Sequence, residues 1–160
     1  MPTVLRSRLL ACAFAAFALA CAEASTALAR RDPTPIPAPV RKPTLGERAA
    51  ALAVREVGVP YRWGGTSPAS GFDCSGLVYW AYGRLGVAVP HSSYALYATG
   101  RRVSKMRAGD LLFFSGLGHV GIYIGRGRMV HAPHTGARVQ VVSLRGSSYG
   151  ARVVGVRRIR

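Results

Sequence analysis

The strongest constraint on the fold is a change of texture at Asp110. Before it, apolar residues recur at helical spacing; after it they come as short β-branched and aromatic runs cut by glycines. Thr44 reads as an N-cap with Glu47 placed to complete a capping box. Leu45, Arg48, Ala49, Leu52, Ala53 and Glu56 follow on a helical period until Gly58 and Pro60 stop it. A second helix is expected over residues 74–85, and a third from Ser92 or Ser93 to Gly100. Strands are expected at 111–114, 119–124, 128–132, 138–143 and 152–158. Helices first and antiparallel strands afterwards predict an α+β domain over residues 44–160, its N-terminal helices packed on a C-terminal antiparallel sheet.

The first 43 residues have a different character. Arg6 and Arg8 precede an apolar run from Leu9 to Ala20, and small residues follow, with Ala22-Glu23-Ala24 and Ala27-Leu28-Ala29 fitting a small-x-small cleavage pattern. Residues 1–29 are therefore expected to be a secretory signal peptide, too short in its apolar run to serve as a transmembrane span. Lipidation at Cys21 is a minor alternative. Residues 30–43 hold five prolines and are expected to form an extended tether. With the leader removed, Cys12 and Cys21 are lost and Cys74 is the one remaining cysteine, unable to form an internal disulfide. An unpaired thiol in an oxidising compartment is either buried and inert or used.

Charge narrows the partners. The chain has 22 Lys+Arg against 6 Asp+Glu, a formal +16. That sign favours polyanions, but the arginines are scattered and carry no nucleic-acid-binding signature. With an export signal, an anionic envelope polymer is the expected partner rather than nucleic acid. No internal repeat is visible, and a monomer is expected.

Chemistry concentrates at Gly71–Trp80, where a glycine and a small polar cluster feed an apolar run and Cys74 falls near a helix N-terminus. There the helix dipole and unpaired backbone N–H groups favour thiolate, the nucleophilic form. A cysteine nucleophile needs a base, and the base an orienting partner. Gly125-Arg126-Gly127 suits a three-residue hairpin loop with Gly127 left-handed. Pairing Ile124 with Arg128 then sets Gly121 opposite His131, which places His119 diagonal to His131 on one face of the sheet. A two-residue loop would slip the register and part the two imidazoles. On this pattern His119 is the base and His131 holds its ring, while Val120, Ile122 and Ile124 point to the core. His91 and His134, among Pro, Ser, Thr and Gly, are expected to be exposed loop residues. One cysteine and scattered histidines do not give zinc-ligand spacings, and no metal or cofactor is expected.

Five motifs in order, Gly58-Val59-Pro60-Tyr61-Arg62-Trp63-Gly64-Gly65, Phe72-Asp73-Cys74-Ser75-Gly76-Leu77-Val78, Ala108–Phe114, Gly118–Tyr123 and Met129–Pro133, resemble the NlpC family of bacterial cell-wall cysteine peptidases. The resemblance implies a compact papain-like fold and hydrolysis of peptidoglycan stem peptides, typically between γ-D-glutamate and meso-diaminopimelate. It implies Cys74 as nucleophile, His119 as base and His131 as the third polar residue. Tyr61 would line the site beside the oxyanion hole, and Asp73 and Ser75 would contact the stem peptide, Asp73 meeting a substrate amine. The alternative for these three is that they shape and cap the loop. Trp63 is expected to be a packing residue and Asp110 to set the turn before its strand. Two other functions fit the same residues less well: a non-catalytic cationic wall-binding protein, and an acyltransferase that passes the acyl group to an amine or lipid.

Overall fold

The computed structural model describes residues 41–160, so the expected leader and most of the expected tether lie outside the described residues. Helix α1 (Leu45–Arg55) starts at the expected capping box: the Thr44 hydroxyl accepts from the Glu47 N–H, and the Glu47 carboxylate accepts from the Thr44 N–H at 2.8 Å. Two short strands, β1 (Thr66–Ser67) and β2 (Gly71–Phe72), form a small hairpin ahead of α2 (Cys74–Gly83). Next come α3 (Ser93–Thr99), capped by Ser92, and the strands β3 (Arg101–Arg102), β4 (Leu111–Phe114), β5 (Val120–Gly125), β6 (Arg128–His131) and β7 (Gln140–Ser143). A one-turn helix, α4 (Ser148–Ala151), precedes β8 (Val153–Arg158). The sheet is antiparallel in the order β3-β8-β4-β5-β6-β7.

Alternation along the strands gives the sheet two unlike faces. Leu111, Phe113, Val120, Ile122 and Val130 join Ala49, Ala53, Leu77, Ala81 and Leu96 of the helices in the main core. Leu112, Phe114 and Met129 face the other way, into a smaller cluster with Tyr149, Val153 and Val156. The expected helix-on-sheet architecture holds. The hairpin Thr66–Phe72, strand β3 and helix α4 were not anticipated, being too short to leave a periodic signal.

The β5–β6 turn differs instructively from the expectation. Only Arg126 and Gly127 form the loop, both at positive φ (52° and 67°), as a type I′ turn requires. A two-residue loop should have reversed the faces, yet Ile122 pairs with Val130 and Tyr123 with Met129, the register the longer loop predicted. A bulge restores it: the pairing shifts between Tyr123 and Gly125, which sits opposite Arg128 at φ 93°. His119 and His131 therefore still share a face.

Helix α2 is stitched to the loop before it through glycines. A Cβ on Gly76 would stand 1.9 Å from the Gly65 carbonyl oxygen, a backbone atom that cannot swing aside. That oxygen accepts from the Asp73 N–H at 3.1 Å, so the close approach fixes both the helix start and the loop carrying Tyr61 and Trp63. Gly76→Ala is expected to cost about 1–3 kcal/mol by overpacking, read as a lowered urea midpoint. An unchanged midpoint would show that the helix start is free to move.

Candidate active site

Asp73 is the N-cap of α2, and Cys74 is the first helical residue. One carboxylate oxygen of Asp73 accepts from the Gly76 N–H at 2.6 Å and from the Ser75 hydroxyl at 3.1 Å, while the other accepts from the Gly64 N–H at 2.8 Å. Nε2 of His91 lies 3.0 and 3.1 Å from the two oxygens. A carboxylate offers about four acceptor positions, and the chain itself occupies them. The expected contact of Asp73 with a substrate amine would require His91 to leave. Asp73 and Ser75, both nearly buried, first of all set the start of the helix that carries the thiol.

The half-buried Cys74 lines a cleft of about 430 Å³ together with Tyr61, Trp63, His91, Tyr94 and His119. Its Sγ lies 4.0 Å from the carbonyl oxygen of Gly118, the neighbour of His119. His119 stands at the mouth of β5 and His131 ends β6, with Nε2 of His119 2.8 Å from Nδ1 of His131. That bond uses Nε2, so Nδ1 is the His119 nitrogen left to serve the thiol. For Nδ1 to receive a proton, the Nε2–H must donate to His131 Nδ1. His131 is wholly buried, and its own Nε2 has no hydrogen-bond partner among the described residues. The ring of Tyr149 stands edge-to-face 4.9 Å away and, with Phe114, walls the histidine pair from behind. Nothing in the sequence pattern pointed to Tyr149, which reaches the pair from the short helix α4.

Burial decides the protonation state. The Cys74 thiol is pushed up by desolvation and by the Asp73 charge, against the pull of the backbone N–H groups of Val120, Ser75 and Cys74. The expected helix-terminus preference for thiolate is thus outweighed. Desolvation lowers His119 to about 4, with His134 nearby adding to it. His131 falls to about 3, again by desolvation first, then by His119 and His134. At neutral pH the free site holds a neutral thiol beside an unprotonated base.

These shifts have a sign that can be checked. Below the ordinary imidazole value of 6.5 the unfolded chain takes up protons that the folded rings refuse, so stability falls as the pH drops from 6.5 towards 4 and 3. A melting temperature that declines across this window is expected, together with an acid limb of kcat/KM near pH 4. A limb at the ordinary imidazole value would place the base in water.

The family model for NlpC/P60 matches residues 58–158. This chain belongs to the NlpC/P60 family. It is 49% identical over 114 residues to the probable endopeptidase Rv2190c of Mycobacterium tuberculosis, a match covering 67% of this chain and 29% of that protein. It is 40% identical over 116 residues to murein DD-endopeptidase MepH of Escherichia coli, covering 66% of this chain and 43% of that one. Among solved structures, NlpC2 from Trichomonas vaginalis superposes with a TM-score of 0.67 at 31% identity, over 75% of this chain and 49% of that one. The chain thus spans less than half the length of these relatives. The likeness establishes the papain-like fold.

Against the NlpC/P60 motifs, the structure brings Cys74, His119, His131, Tyr61, Asp73 and Ser75 into one neighbourhood. The half-buried Tyr61 faces the cleft, and its phenol is harder to ionise because of burial and the neighbouring Cys74 and Asp73. Trp63 is not a packing residue: it is 88% exposed on the cleft rim. His91 lies on an exposed loop as expected, but it is no bystander, since it holds Asp73 and lines the cleft. His134 is exposed, and its ring bonds only the Thr135 carbonyl oxygen among the described residues. Asp110 does set its turn, accepting from the Arg107 N–H at 2.7 Å, and also pairs with Arg158 at 2.6 Å. No group of three or more His, Cys, Asp or Glu among the described residues could hold a metal ion, and no described helix is long and apolar enough to cross a membrane.

Proposed function

We propose that this NlpC/P60 domain is a secreted peptidoglycan endopeptidase. It hydrolyses stem-peptide amide bonds, with γ-D-glutamyl–meso-diaminopimelate as the expected bond, through Cys74, His119 and His131. The observation that carries this reading is the 2.8 Å His119–His131 bond, which leaves Nδ1 of His119 for a thiol at a helix start in the same cleft. In the reaction, Nδ1 takes the Sγ proton as sulfur attacks the amide carbonyl. The negative oxygen meets the backbone N–H of Cys74, which has no partner within the helix, with the Tyr61 side of the cleft opposite. The C–N bond then breaks, and His119 returns the proton to the departing amine, leaving a thioester on Cys74. Water, deprotonated by the same nitrogen, hydrolyses the thioester and restores the thiol. His131 keeps the His119 ring in the tautomer that both transfers need.

The pattern of residues 1–29 supports export to the periplasm or beyond, and the +16 formal charge supports attraction to anionic envelope polymers. Mass spectrometry of products from defined muropeptides tests the reading. Hydrolysis gives a new free amine and a new carboxylate. A product joined to an added amine would instead identify a transferase, and intact substrate would identify a binding protein.

A further inference from the structure

A second cavity, about 250 Å³, lies on the far side of His119. It shares Gly118, His119 and Pro133 with the thiol cleft but does not touch Cys74. Its remaining walls are Phe114 and Tyr149, which are apolar or aromatic, and Ser115 and Arg152, which are polar. The two hollows therefore meet at the base.

Chemistry gives each hollow a role. The acyl half of the substrate becomes bonded to Sγ and must occupy the hollow that contains Cys74. The departing amine receives its proton from His119, so the other half of the substrate extends beyond that ring. The second cavity is the hollow that adjoins the ring without touching Cys74. No lining residue there is acidic, and none of the ion pairs among the described residues involves Arg152. The three carboxylates seen in ion pairs, Glu47, Asp73 and Asp110, have other partners. An exposed arginine at the end of a partly apolar hollow suits a carboxylate, which its planar fork can bind through two hydrogen bonds.

We propose that the cavity bounded by His119, Tyr149 and Arg152 is the subsite for the amine half of the substrate, and that Arg152 pairs there with a free carboxylate on the residue whose amine is released. This rests on the thiol-peptidase reading and adds a requirement to it: a carboxylated amino acid, rather than its amide, on the departing side. Ser115 is held beside Arg152, its backbone N–H donating to the Arg152 carbonyl oxygen at 3.0 Å and its hydroxyl donating to the same oxygen at 3.5 Å.

Two synthetic γ-glutamyl peptides that differ only in a carboxylate or carboxamide on the departing residue test the proposal. Wild type should prefer the carboxylate, and added salt should erode that preference because the arginine is exposed. Arg152→Gln should lower kcat/KM on the carboxylate substrate roughly ten- to a hundred-fold, the effect of losing a charged hydrogen bond. It should leave the carboxamide substrate within about two-fold and erase the preference, and Arg152→Lys should restore part of it. Equal loss on both substrates, or no loss on either, overturns the subsite while leaving the peptidase reading standing. A wild-type enzyme that cleaves neither peptide overturns both.

Discussion

Cys74→Ala is expected to abolish cleavage of peptidoglycan peptides, a fall of at least about 10⁴-fold in kcat/KM, while the protein stays folded. Among the described residues the thiol donates only one long hydrogen bond, 4.0 Å to the Gly118 carbonyl oxygen, and it sits half-buried at the margin of the core, so removing it loosens little. Everything that positions it survives the change: the Asp73 cap on Gly76, the Gly65–Asp73 bond and the histidine pair do not involve the thiol. Cys74→Ser should be nearly as inactive. The site already makes a thiol harder to ionise by burying it, and a hydroxyl starts from a far higher pKa. A melting curve superimposable on wild type, with no measurable turnover, is the predicted pair of results. Turnover above about a tenth of wild type would remove Cys74 from the chemistry.

The second large effect is expected at His131. His131→Leu should lower kcat/KM roughly 10³-fold or more, because the His119 ring then loses the acceptor that fixes its tautomer. His131→Asn should be far milder. An asparagine Oδ1 is as many bonds from the backbone as Nδ1 of histidine, so it can occupy the same place 2.8 Å from His119 Nε2. It also removes the buried Nε2 that has no partner. Because asparagine does not titrate, the fall in melting temperature between pH 6.5 and pH 4 should flatten in His131→Asn. The contrast between the two variants separates an orienting role from mere filling of space. Equal losses in both would mean that His131 serves only to pack against Tyr149 and its neighbours.

What was legible in the sequence was local. The Thr44–Glu47 capping box, the helix starting at Cys74 and the Ser92 cap each depend on residues within one turn of one another. The shared face of His119 and His131 was legible as well, because strand period and turn length fix it together. There the outcome was right although one step was not: the loop has two residues, and the bulge before Gly125 supplies the missing one. A bulge leaves no periodic signal, since glycine at that place serves a turn equally well.

The rest depends on contacts made across the fold. His91 and Asp73 are 18 residues apart in sequence and meet only because the segment before α3 folds back over the start of α2. A histidine among proline and serine looks exposed until that happens. Tyr149 arrives from a four-residue helix on the opposite face of the sheet from α1 and α2, with no amphipathic pattern to announce it. Trp63 was misjudged for the reverse reason: a large aromatic residue is ordinarily buried, whereas the tight Gly64–Gly65 turn leaves this one on the rim. The protonation of Cys74 was also beyond reach, because a helix terminus can be read from sequence but the depth of burial that opposes it cannot.

The central claim is that one sulfur, served by His119, performs the cleavage, and alkylation tests it directly. Protein treated with substoichiometric iodoacetamide is assayed on a defined muropeptide, and the label is mapped by peptide mass spectrometry. Activity should fall in direct proportion to carboxamidomethylation of Cys74, and saturating substrate should slow both together. Protein fully labelled at Cys74 that still releases the peptide products would contradict the mechanism.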